Sequence, residues 1–198
     1  MTDPVSPAVH RPPVVGWTTF GHPGATRLLS KSSELGRLAH AYLITGPEKI
    51  GKRTLAIDIA CMVNSEPVVD MFGEAPNIDL ASSQQADRIR RGIHSDVRVI
   101  DINTELEKDS RKAKSDDDDG TPARGRKNIS IEHIRDLIKD SATKPFEGLS
   151  KVFIIDDAHR MTIDASNALL KTLEEPADDV FIILTSPSDQ ALPDTIVS

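Results

Sequence analysis

Two stretches of the chain hold residue types at spacings that could do chemistry. They are Gly46-Pro47-Glu48-Lys49-Ile50-Gly51-Lys52 and Val152-Phe153-Ile154-Ile155-Asp156-Asp157. The first carries the glycines and lysine of a phosphate-binding loop. Such a loop cradles phosphates with backbone N–H groups at a helix N-terminus, and its lysine reaches the terminal phosphates. The second has the form of a Walker B strand, an apolar run that ends in an acid. Each departs from the hydrolytic pattern at a position where chemistry is done. A Mg²⁺-binding Ser or Thr should follow Lys52, but Arg53 stands there and the hydroxyl arrives one place late, at Thr54. One residue turns a helical side chain by about 100°, so Thr54 is expected to point away from a metal. Asp157 takes the place of a water-activating glutamate and is one methylene shorter. The binding candidates are therefore Gly46, Pro47, Glu48, Lys49, Ile50, Gly51, Lys52, Arg53 and Thr54. Asp156 and Asp157 are Walker B-like without a firm catalytic assignment, and no metal ligand is expected.

The surrounding elements must place these residues. Ala41 to Thr45 reads as a buried strand feeding the loop, and Lys52 to Asn64 as the helix after it. Gly24 to Leu38 reads as an amphipathic helix, and Gln84 to Arg91 as a helical patch. Val97 to Asp101, Lys151 to Asp156 and Val180 to Thr185 are further strands. Ser130 and Thr162 are set to cap helices, the second of which Pro176 stops. Apolar strands alternating with helices predict a parallel sheet covered on both faces. Residues 1–16 are Pro-rich and read as a flexible leader, and residues 105–127, with Asp116 to Asp119, read as a solvated disordered insertion.

Composition narrows the classes. The chain has 198 residues, enough for one sizeable core, and only 4% are aromatic, so that core must be aliphatic. A net charge of -7 argues against autonomous nucleic-acid binding. The lone Cys61 lies in an apolar helical run and reads as a buried, inert thiol. No apolar run is long enough to span a bilayer and no signal peptide is evident, so no membrane partner and a cytoplasmic location are expected.

Four further stretches carry a resemblance. Leu38 to Pro47 is similar to a LAHAYLF-T-G-P entry to the loop, and Asn167 to Pro176 matches an NALLKTLEEP helix in full. Lys144-Pro145-Phe146-Glu147-Gly148 resembles a KP-(Y/F)-EG turn, and Thr185-Ser186-Pro187 a sensor-1 threonine with its flank. Together they resemble the bacterial clamp-loader branch of the AAA+ ATPases, the gamma/tau and delta-prime subunits of DNA polymerase III, over roughly residues 17–198. The resemblance implies an α/β fold, a P-loop three-layer αβα domain whose four parallel strands run 1-4-3-2 by order of appearance. It also implies that the fifth strand, the lid and the collar are missing, so that the chain looks like a piece of a longer protein. The family's zinc module would place cysteines near Ser65, Leu80, Ser83 and Ala86. None of these supplies a thiolate, so no zinc is expected, and His94 with Asp96 reads as a turn-stabilising pair.

The function that the resemblance implies is that of a delta-prime-like structural subunit, with at most weak ATP binding and no appreciable hydrolysis. Its partners would be delta and gamma/tau-like subunits, the sliding clamp indirectly, and primer-template DNA only within the assembled complex. A gamma/tau-like ATP-hydrolysing motor is the alternative, kept open by Gly46, Gly51, Lys52 and Asp156. An unrelated kinase-like P-loop enzyme would have to treat the Asn167 to Pro176 match as coincidence. A bland scaffold, in which Lys52 only caps charge, shades into the delta-prime reading.

Overall fold

The computed structural model describes residues 11–69, 76–102 and 128–197. The expected insertion at residues 105–127, the first ten residues of the leader, and Ser198 lie outside the described residues.

Four strands form one parallel sheet. They are β2 (Ala41–Thr45), β4 (Val97–Ile100), β5 (Lys151–Ile155) and β6 (Val180–Ser186), and the order is β2-β6-β5-β4. This is the 1-4-3-2 order expected from the sequence. Ala41 pairs with Ile182, Lys151 with Val180, and Val97 with Val152. The central strands β5 and β6 are buried along their whole length, whereas β2 pairs only with β6 among the described residues and is partly exposed.

Side-chain alternation builds two cores from these strands. Val152, Ile154, Phe181 and Ile183 face one side, where α1 (Pro23–Glu34), α2 (Lys52–Asn64) and α3 (Gln84–Arg90) bring Leu29, Ile59, Met62 and Ile89. Phe153, Ile155, Ile182 and Leu184 face the other, against Ile134 and Leu137 of α4 (Ile131–Ser141) and Leu169 of α5 (Ile163–Glu174). The result is three layers, αβα, with few aromatic side chains in either core. A short α6 (Asp194–Val197) follows β6. No helix among the described residues is long and apolar enough to cross a membrane.

Local signals account for the helix ends. The Ser130 backbone N–H donates to His133 Nδ1 in a capping box, and Thr162 accepts from the Ala165 N–H. Helix α1 stops earlier than its periodicity suggests: Leu35 caps it, and Gly36 follows at φ 62°.

The structure departs from expectation in the last part of the leader. Residues 11–16 are fastened down rather than free. β1 (Val14–Val15) pairs in parallel with β3 (Ile78–Asp79), Val14 is buried, and the Arg11 guanidinium donates to the Ser65 carbonyl. Gly16 permits this approach. It sits at φ 75°, and a Cβ there would meet Asp79 Oδ1 at 2.5 Å. The segment that follows is held by Asp58. Its carboxylate is fully buried and accepts from the backbone N–H and the hydroxyl of both Thr18 and Thr19, and from Arg90 Nη2 at 3.3 Å. Two-residue strands and a single buried acid leave no periodic trace in a sequence, which is why this clamp was not anticipated.

Candidate functional site

The loop between β2 and α2 owes its shape to two left-handed residues, Lys49 at φ 61° and Gly51 at φ 97°. Gly51 is the N-cap of α2 and brings no side chain to its first N–H groups, so those groups are left to a ligand or water. Lys52 is buried, and its ammonium donates to the Gly46 and Pro47 carbonyls at 2.8 Å each. The loop is held from outside as well, because His22 Nε2 lies 2.8 Å from the Ile50 carbonyl oxygen.

A cleft of about 470 Å³ opens over this loop. Glu48, Lys49, Gly51, Lys52, Arg53 and Thr54 line it from the loop side, and Asp156, Asp157 and Arg160 from the end of β5. The structure thus gathers most of the sequence candidates around one space. Gly46 and Pro47 contribute through their carbonyls to Lys52, and Ile50 through the carbonyl beside His22. Thr185 lies beneath the cleft, fully buried. Its hydroxyl donates to Asp156 Oδ1 at 2.6 Å and accepts from the Asp157 N–H at 3.0 Å. Asp157 itself adopts φ 56°, a conformation that Asp tolerates better than most residues, and opens a tight turn through Ala158–Arg160.

Arg53 is the central finding. Its Nη1 donates to Asp101 Oδ2 at 2.7 Å, just past the end of β4, and to Asp156 Oδ2 at 3.2 Å. Partial burial works against the guanidinium charge. Hydrogen bonds and Coulomb attraction from Asp101, and then from Asp156, outweigh it and raise the Arg53 pKa. Both oxygens of Asp156 are engaged, one by the Thr185 hydroxyl and one by Arg53.

A P-loop Mg²⁺ ion would be held by the hydroxyl after the lysine and by the Walker B acid. These residues do not fit that ion. The hydroxyl is replaced by a cationic side chain, and that cation already sits on the acid. Asp101 and Arg160 escaped the sequence reading. Asp101 was visible only as a strand end, and Arg160 follows no motif; both become site residues only when the sheet aligns the ends of β4 and β5.

Behind the sheet, His94 and Asp96 form the turn-stabilising pair. The Asp96 N–H donates to His94 Nδ1, and the Asp96 carboxylate accepts from the N–H groups of Phe146, Glu147 and Gly148 at 2.7–2.8 Å. Burial raises the Asp96 pKa, but these three donors overcome it and leave the carboxyl below the usual range. Nearby, Ser65 Oγ donates to Ser83 Oγ at 2.8 Å, while Leu80 and Ala86 are buried in the aliphatic core. The four positions therefore offer two hydroxyls and two hydrocarbon side chains, not a thiolate set.

A family model described as DNA polymerase III, delta subunit matches residues 21–198. The tau subunit of DNA polymerase III from Escherichia coli (strain K12) is 30% identical over 86% of this chain and 22% of its own length. The delta' subunit from Bacillus subtilis (strain 168) is 30% identical over 89% of this chain and 45% of its own length. Among solved structures, a DNA polymerase III gamma subunit-related protein from Thermotoga maritima aligns with a TM-score of 0.53 at 23% identity, over 88% of this chain and 42% of that one. That likeness speaks for the fold alone. The chain spans less than half the length of these proteins, and the tau and delta' relatives match it at equal identity.

Proposed function

The chain belongs to the DNA polymerase III, delta subunit family, and on that premise we propose that it serves in a clamp loader as a delta-prime-like subunit that holds partners and does not hydrolyse ATP. The observation that carries this reading is the Arg53 guanidinium on Asp101 and Asp156. Phosphoryl transfer to water needs a metal, an oriented nucleophile and a charge-stabilising group together. Here the metal's protein hydroxyl is displaced and its carboxylate is occupied. The acid that would orient water is Asp157, its backbone committed to Thr185.

Nucleotide binding, on this reading, is weak and runs through the loop N–H groups and Lys52, whose ammonium must exchange the Gly46 and Pro47 carbonyls for phosphate oxygens. The site takes no zinc, which elemental analysis of the purified chain would check. Delta and gamma/tau-like subunits are the proposed partners, with the sliding clamp and primer-template DNA engaged only through the assembly, in the cytoplasm.

A steady-state phosphate-release assay on the purified chain tests the reading. The expected result is no turnover above background, and no rescue by Arg53→Thr. Turnover that vanishes in Lys52→Ala and Asp157→Asn would instead assign the chain to the ATP-hydrolysing gamma/tau class.

A further inference from the structure

We propose that the Arg53 guanidinium is a resident cation that fills the divalent metal's place, so that the cleft admits a divalent ion only when Arg53 is removed. The inference rests on the reading of a degenerate nucleotide site and says what keeps that site degenerate. Three observations support it. Arg53 occupies the sequence position of the metal-binding hydroxyl at the start of α2. A single nitrogen of its side chain reaches carboxylates from the ends of two different strands, Asp101 and Asp156. The second oxygen of Asp156 is already hydrogen-bonded by buried Thr185, which fixes the carboxylate toward Arg53.

Two carboxylates facing one cleft repel each other, and a positive charge between them removes the conflict. Either a divalent ion or a guanidinium can supply that charge, but not both at one point. A guanidinium stays protonated and is tethered to the chain, so a chelator cannot strip it from the two acids. A smaller neutral side chain at position 53 reopens the space and leaves Asp101 and Asp156 as hard oxygen ligands, which suit Mg²⁺ and Mn²⁺.

Manganese serves as the probe, because electron paramagnetic resonance counts free and bound Mn²⁺ directly. The full chain is titrated with Mn²⁺ as wild type, Arg53→Ser, Arg53→Lys, Asp156→Asn and the Arg53→Ser/Asp156→Asn double variant. Arg53→Ser is expected to gain one saturable site per chain that the double variant loses. Arg53→Lys, which keeps the charge, is expected to match wild type. Comparison between variants cancels weak binding by acidic residues elsewhere in the chain. A folded Arg53→Ser protein with no gained site overturns the proposal, as does a wild-type site abolished by Asp156→Asn. Circular dichroism establishes folding in each case. The two readings fail separately: phosphate release without bound Mn²⁺ sinks the proposed function alone, and bound Mn²⁺ in wild type without phosphate release sinks only the resident-cation inference.

Discussion

Asp58→Asn should weaken the fold and release the Thr18–Thr19 segment that precedes α1. The Asp58 carboxylate is fully buried and gathers five donors, four from Thr18 and Thr19 and one from Arg90. An amide of the same shape keeps one acceptor oxygen, turns the other into a donor, and removes the charge that offsets Arg90. Hydrogen bonds to a charged group contribute about 1.5–3 kcal/mol each, but they are not additive, and the donors on the exposed Thr18 can return to water. Removing one partner of a buried ion pair costs about 3–5 kcal/mol, and that water access favours the lower end, about 3 kcal/mol. Against a total stability of roughly 5–15 kcal/mol, this is a large loss. Urea unfolding measures it as a lower midpoint at similar slope. Trp17, the only tryptophan, packs partly buried against the α1–α3 side core and adjoins the clamp, so its emission reports release directly. The expected result is a red shift in native buffer with far-UV dichroism unchanged. A loss under about 1 kcal/mol, the size of one ordinary hydrogen bond, with Trp17 emission unaltered, would refute the reasoning.

Two further outcomes follow from the turn behind the sheet. Glu147 accepts from the Ser95 N–H and pairs with Arg88, which hold its carboxyl at about 2 against an ordinary value of 4.5. A depressed folded pKa means stability that is fully present above pH 4.5 and is lost as pH falls toward 2. Urea midpoints measured across that window should therefore fall less steeply for Glu147→Gln than for wild type, and parallel curves would count against the assignment. Gly148→Ala should destabilise the fold, because its Cβ would lie 2.5 Å from Asn64 Oδ1 and 3.0 Å from His94 Cε1. Asn64 cannot retreat without giving up the Ser150 N–H, so a loss of about 1–3 kcal/mol by urea unfolding is expected, and a neutral result would show that the turn has slack.

Much of the fold was legible because the sheet is buried on both faces. Continuous apolar runs such as Val152 to Ile155 can be little else than central strands when helices separate them, and the glycine loop fixes where β2 ends. Helix α2 matches its reading at both ends, since Gly51 and Asn64 mark them. What the sequence hid was contact at long range. Arg53 is plainly the wrong residue for a metal hydroxyl, but its attachment to Asp101 and Asp156 spans 48 and 103 residues. Nothing local distinguishes Asp101 from other acids after strands, nor Asp58 from an ordinary exposed helix acid. The β1–β3 pair is too short to show alternation, and the prolines before β1 disguise that strand as part of a leader.

The burial of Cys61 makes it a clock. Its side chain is fully enclosed between α2 and α3, and burial pushes the thiol up to about 12, so the folded chain offers an alkylating reagent no thiolate. It is the chain's only cysteine, so any labelling must wait for α2 to part from its neighbours. The labelling rate at rising reagent concentration would then time that opening without an introduced probe. Nucleotide bound at the head of the same helix should slow the clock if it steadies α2, which reads occupancy of the cleft in a protein expected to show no turnover.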